Sequence, residues 1–230
     1  MQEGWLPVDT KKLLAELVGT FAFFLIGFMA ILSEKAFSST GDLVIIAFGF
    51  GFGLFAAIQI FGSVSGGHFN PAVTVAAVLD KRLDPMTGVG YVVSQLIGGI
   101  GAAALVLVLF SQAAVASTAT KPGNGIDDAK AVILEAVFTA IFILVILVST
   151  KKTPKYAAFA IPLTLMVIHF AIVPFTGSSV NPARSIASAV VGGDLGSLWV
   201  YIVGPIIGAG IGWAIYRYAT GASEPEGNPD

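Results

Sequence analysis

Apolar positions in this chain gather into runs too long for a soluble core, and the runs carry almost no charge. A helix crosses ~30 Å of hydrocarbon with ~20 mostly apolar residues. Six runs meet that length: Leu13–Leu32, Leu43–Gly62, Met86–Phe110, Ala131–Ser149, Tyr156–Phe175 and Leu195–Tyr216. Inside them the acidic or basic residues are Glu16 and Glu135, and the histidine is His169. The first run follows Lys11 and Lys12 but is too long for a signal-peptide core and lacks a small-residue cleavage site after it. It reads as a retained span.

Composition agrees. Of the 230 residues, 56% are hydrophobic and 11% charged, and mean hydropathy is +0.88; soluble domains carry ~25% charge. That excludes a disordered chain or a nucleic-acid binder with a basic face, and leaves too few charges to cover a soluble enzyme. With two His, no Cys and no carboxylate pair at catalytic spacing, nothing supports an enzyme, a metal site or a disulfide. Six spans place both termini on one side. That side holds Lys11, Lys12, Lys81, Arg82, Lys151, Lys152, Lys155 and Arg217, eight of the 12 basic residues, against Lys35, Lys121 and Lys130 opposite. The bias predicts cytoplasmic termini in a cell (plasma or inner) membrane. Residues 221–230 are polar and predict a disordered cytoplasmic tail.

An internal repeat sets the architecture. Ser65-Gly66-Gly67-His68-Phe69-Asn70-Pro71-Ala72-Val73-Thr74 returns in outline as Thr176-Gly177-Ser178-Ser179-Val180-Asn181-Pro182-Ala183-Arg184-Ser185, 111 positions on. Ala15-Glu16-Leu17-Val18 resembles Leu134-Glu135-Ala136-Val137, and Tyr91-Val92-Val93 resembles Tyr201-Ile202-Val203. Each half reads span, span, Asn-Pro-Ala segment, span. Three spans per half is odd, so the second half runs through the bilayer inverted, with a working site near the midplane. The prediction is a single all-α transmembrane domain over 1–220, with repeats at about 11–110 and 131–218.

Asn is a favoured helix N-cap and Pro a favoured first helical residue, so each Asn-Pro-Ala starts a helix. About ten residues follow Asn70 before Asp80-Lys81-Arg82, which at 1.5 Å per residue is ~15 Å, half a bilayer. The helix after Asn181 stops similarly near Gly192-Gly193-Asp194. Irregular backbone beside full spans is tolerated at membrane depth only when buried in protein or lining a wet cavity. The reading is two re-entrant half-helices entering from opposite faces and meeting start to start.

At these motifs the sequence resembles the aquaporin (major intrinsic protein) family, from roughly Lys11 to Arg217, including Ala15–Thr20 in the pattern Ala-Glu-x-x-Gly-Thr. The resemblance implies a homotetramer in membrane lipid with one water pore per subunit and no cofactor. With Asn70 and Asn181 as caps, both amide N–H₂ groups are expected to be free to face the pore. The two helix starts add positive potential there, which opposes cations and protons but not water. Gly66, Gly67, His68, Phe69, Gly177, Ser179 and Val180 are expected to line the path with carbonyl oxygens.

Offsets from the two asparagines carry the family's selectivity filter onto Phe50, His169, Ser178 and Arg184. Taken alone, Phe48 or Phe52 fits as well as Phe50, and a lone apolar-helix His fits a packed core equally. Arg184 at membrane depth points to function by itself. His169 and Ser185, where glycerol facilitators of the family usually carry Gly and Asp, favour water. Ile202 stands where Trp is common and Ile186-Ala187-Ser188 lacks the usual Gly-Pro; both departures bear on how strictly small solutes are excluded. Glu16 and Glu135 are expected to buttress irregular backbone. Two other functions compete: a channel for glycerol or another small neutral solute, and a transporter coupled to protons through the two glutamates.

Overall fold

The computed structural model describes residues 9–37, 43–123 and 125–220; the tail expected to be disordered, 221–230, lies outside them. The helices are α1 (Thr10–Phe37), α2 (Leu43–Ser65), α3 (Pro71–Leu79), α4 (Pro85–Leu109), α5 (Gln112–Ala116), α6 (Asp128–Lys152), α7 (Pro154–Thr176), α8 (Pro182–Gly192) and α9 (Val200–Ala219). Among the described residues, six are long and apolar enough to span a membrane: α1, α2, α4, α6, α7 and α9. The other three are short, and α3 and α8 are the half-helices.

Several boundaries move from the apolar runs because capping, not hydropathy, ends a helix. α6 starts at Asp128, where the Asp127 side chain accepts the Lys130 N–H, and α4 starts after Asp84, which accepts from Thr87. The last span begins at Val200 rather than Leu195. Ahead of it, Ser197 and the Trp199 indole both donate to Asp128, where residues 196–199 form turns. The short α5 has no counterpart in the apolar pattern.

Close packing follows the repeat. α1 packs on α4 and α6 on α9, and α2 meets α7 across the pseudo-symmetry axis. Gly98 lies against the Leu17 backbone, whereas a Cβ on Gly212 would stand 2.6 Å from the Ala140 carbonyl, so backbones touch where side chains would keep them apart. Each half-helix leans on the last span of the opposite repeat: α3 on α9, α8 on α4. Large apolar side chains such as Leu14, Val108, Ile133, Phe159 and Val167 stand exposed on the outside, an exterior that suits lipid. The result is the all-helical fold of six spans and two half-helices in an inverted repeat.

Candidate functional site: a path through the middle of the bundle

Two carboxylates hold the irregular backbone ahead of the half-helices. Glu16 accepts from Ser65 Oγ (2.6 Å), His68 N (2.9 Å), Phe69 N (2.7 Å) and Gln95 Nε2 (2.8 Å). Glu135 accepts from Thr176 Oγ1 (2.7 Å), Ser179 N (2.9 Å) and Val180 N (2.7 Å). Both are fully buried. The clamp is needed because Phe69 (φ 47°), Ser178 (φ 50°) and Val180 (φ 44°) adopt left-handed backbone, which a β-branched residue such as Val180 resists strongly.

At the junction each asparagine caps its own helix and reaches into the other. The Asn70 side-chain oxygen accepts from Ala72 N, and that of Asn181 accepts from Ala183 N and Arg184 N. The Asn70 amide donates to the Val180 carbonyl (2.8 Å) and the Asn181 amide to the Phe69 carbonyl (2.9 Å). This corrects one expectation. Each amide has spent one of its two protons on the opposite repeat, so only the second remains to offer. The carbonyls of Phe69 and Val180 accept from those amides, and each keeps a second lone pair. The inverted repeat brings each cap against the strained residue preceding the other cap, and a carbonyl buried there needs a donor.

A cavity of about 610 Å³ runs past this junction. One end opens at Lys12, Arg82, Thr150 and Pro154; the other reaches Phe50, His169 and Arg184. Gly66, Gly67, His68, Asn70, Ser179, Val180 and Asn181 line it between, whereas Phe69, Gly177 and Ser178 do not. Phe69 is instead packed against Gly19, and Ser178 is buried with its hydroxyl 3.4 Å from His169 Nδ1. Pro71, Ala72, Pro182 and Ala183 are buried in the half-helix starts.

The far end is tight. The Phe50 and His169 rings are 4.7 Å apart between centroids, and the Arg184 guanidinium lies 5.3 Å from the Phe50 centroid. His169 Nδ1 is 2.9 Å from the Leu165 carbonyl, which can only accept. Nδ1 therefore carries the proton and, in the neutral ring, Nε2 is an acceptor. Arg184 donates through one terminal nitrogen to Thr118 O (2.8 Å). His169 Nε2 and Arg184 Nε are buried with no protein partner.

Some of these residues escape a linear reading. Ser65 and Thr176 are matching positions of the repeat, and their shared hydroxyl is a signal that could have found them. Gln95 and Thr118 leave no such trace. Gly27 is found only in space: a Cβ there would sit 2.5 Å from Phe50 Cε1. Phe23 is edge-on to the Phe50 ring, and Arg184 and His169 lie against it, so a side chain at Gly27 would push the ring into the groups that border the cavity. Gly27→Ala is therefore expected to lower osmotic flux severalfold in reconstituted vesicles; unchanged flux would show that the ring does not border the path.

Six spans, two opposed half-helices and a cavity through their junction describe a membrane channel. The family model described as Major intrinsic protein matches residues 6–216, and the chain belongs to that family, whose members are channels rather than enzymes. It is 39% identical over 223 residues to Aquaporin Z of Photorhabdus laumondii, covering 90% of this chain and 96% of that protein. It is 37% identical over 210 residues to the glycerol uptake facilitator protein-like 6 of Lactiplantibacillus plantarum, covering 86% and 93%. Among solved structures, the aquaglyceroporin from Plasmodium falciparum matches with a TM-score of 0.84 and 22% identity, over 92% of this chain and 96% of that one. That likeness concerns the fold alone.

Proposed function

We propose that this protein is a passive water channel, with Phe50, His169 and Arg184 bordering its selectivity filter, Ser178 packed behind His169, and the two Asn-Pro-Ala starts as its central constriction. One observation carries the reading. At the end of the cavity bordered by Phe50, His169 and Arg184, a buried donor (Arg184 Nε) and a buried acceptor (His169 Nε2) lack protein partners, while the polar groups around them are already paired within the protein. Water both donates and accepts, so it is a chemical match for either atom. Farther in, the second amide protons of Asn70 and Asn181 supply two more donors beside the positive ends of α3 and α8, where a cation or hydronium is opposed.

The cavity lies within one chain, which supports one path per subunit of the homotetramer that the family resemblance implies, built on a single domain with repeats at about 11–110 and 131–218. Lys12 and Arg82 lie at one mouth, and Lys152 Nζ donates to the Thr220 carbonyl on the same face. This clustering supports cytoplasmic termini in a cell membrane. Every oxygen of Glu16 and Glu135 accepts a hydrogen bond, which favours buttressing over proton coupling.

Stopped-flow shrinkage of proteoliposomes tests the reading. An imposed sucrose gradient is expected to give fast water efflux with a low activation energy; a rate and temperature dependence equal to empty vesicles would sink it. The second reading, a glycerol conduit, is favoured by similarity to the Lactiplantibacillus plantarum protein, and a glycerol gradient separates the two. His169→Gly with Phe50→Trp is expected to raise glycerol flux well above the parent by widening the constriction. Unchanged glycerol flux counts against these filter positions.

A further inference from the structure

The outer face of the narrow end is crossed by residues 117–123, which supply Thr118 O to Arg184. Two residues on, Thr120 Oγ1 lies 2.7 Å from Ser185 Oγ, and Ser185 Oγ lies 2.6 Å from Ser179 Oγ. Neither distance alone tells which hydroxyl donates. The far end of the chain does. Ser179 Oγ gives its proton to the Asn181 carbonyl (2.8 Å), and a hydroxyl has one proton to give. Ser185 must then donate to Ser179, and Thr120 to Ser185. The chain has one direction, from Thr120 through Ser185 and Ser179 to the carbonyl of the residue that caps α8. All four residues are buried: Thr120 is 8% exposed, Ser179 3%, Asn181 4% and Ser185 0%.

We propose that Thr120 and Ser185 are positioning residues of the filter. Their hydroxyls tie the crossing segment to α8, and so fix the Thr118 carbonyl against the Arg184 guanidinium that faces His169. The inference rests on the filter reading given under Proposed function. The segment has other ties. Thr118 donates twice to the Val115 carbonyl of α5, from its N–H (2.9 Å) and Oγ1 (2.7 Å), and Lys35 Nζ donates to the Ser117 carbonyl (3.2 Å), but none of these bonds reaches α8, which carries Arg184. The Lys121–Asp194 ion pair is 52% and 40% exposed, and exposed pairs of this kind contribute little. The Gly123 N–H bond to Phe175 O (2.7 Å) holds the segment to α7, on the other side of the site. Thr120 also sits tight: a Cβ on Gly177 would lie 3.1 Å from its Cα.

The full-length protein in liposomes tests this, using Ser185→Ala, Thr120→Val, the double variant and Thr120→Ser. Either single change is expected to raise the ratio of glycerol to water flux about fivefold, the factor one neutral hydrogen bond is worth. The double variant should go no further, because both changes cut the same chain, and Thr120→Ser should match the parent. A second readout does not depend on conduction. The chain has three arginines, Arg82, Arg184 and Arg217, so the Nε–H spectrum of ¹⁵N-arginine protein in detergent is sparse. The Arg184 resonance should shift or broaden in the two single variants and not in Thr120→Ser. Flux and resonance both unchanged, or single effects that add in the double variant, would overturn the inference. A parent without water flux whose Arg184 resonance still responds would instead refute the water reading and keep the positioning role. Should Ser185→Ala fail to fold, Thr120→Val with Thr120→Ser decides alone.

Discussion

Replacing Arg184 with valine is expected to let protons and small cations leak through vesicles that the parent protein keeps tight. Arg184 is 3% exposed and borders the cavity beside Phe50 and His169, so a cation entering there passes within a few ångströms of a fixed like charge. At ~4 Å and an effective dielectric near 20, two unit charges repel by about 4 kcal/mol. Losing most of that barrier corresponds to a leak larger by about two orders of magnitude. Because the half-helix starts at Asn70 and Asn181 remain, exclusion is weakened rather than abolished. Arg184→Lys keeps the charge while losing the planar fork, and should leak far less than the valine variant. Proton flux read with an entrapped pH dye measures both. A valine variant as tight as the parent would place the whole barrier at the asparagines.

The largest effect on stability is expected at Glu135. Its carboxylate takes hydrogen bonds from Thr176 Oγ1, Ser179 N and Val180 N, and Glu135→Leu leaves the two backbone N–H groups buried without a partner, while Thr176 Oγ1 keeps only the Ile172 carbonyl at 3.3 Å. At ~1–3 kcal/mol per unsatisfied group, the loss is several kcal/mol, comparable with the net stability of a typical domain. The left-handed backbone at Ser178 and Val180 would also lose what holds it. Little folded Glu135→Leu protein is expected in detergent by size-exclusion chromatography. Glu135→Gln keeps one oxygen and should fold with a lower melting temperature. The same pair of changes at Glu16 should behave alike, since Ser65, His68 and Phe69 there stand in place of Thr176, Ser179 and Val180. A folded Glu→Gln variant also separates buttressing from proton coupling. Water flux that survives in Glu16→Gln with no dependence on a pH gradient supports the buttress; gradient-driven uphill solute movement lost in that variant would establish coupling.

How far the sequence reached differs between fold and site. Spans were legible because lipid cannot hydrogen-bond backbone, so a crossing segment must be one uninterrupted apolar helix, and length alone reveals it. The half-helices were legible because Asn-Pro at a helix start has local chemistry that needs no distant partner. Helix ends were less so. The start of α9 at Val200 depends on Ser197 and Trp199 meeting Asp128, about seventy positions away in the chain, and hydropathy carries no record of that meeting.

At the site, residue types were readable but their use was not. Asn70 and Asn181 announce themselves as caps, yet each amide also reaches a carbonyl in the other repeat, which only the opposed packing brings near. Arg184 stands out as a charge in an apolar context, whereas its partner Thr118 O is an ordinary backbone oxygen in a connecting segment. Gly27 shapes the Phe50 ring by having no side chain, a property that twenty-six other glycines share. The chain by itself therefore determined the spans, the mirrored halves and the caps, because those follow from local chemistry and the demands of a medium without water. The tertiary structure alone decided which buried polar atoms are paired within the protein and which are left without a protein partner, because that choice depends on distances between segments far apart in the chain.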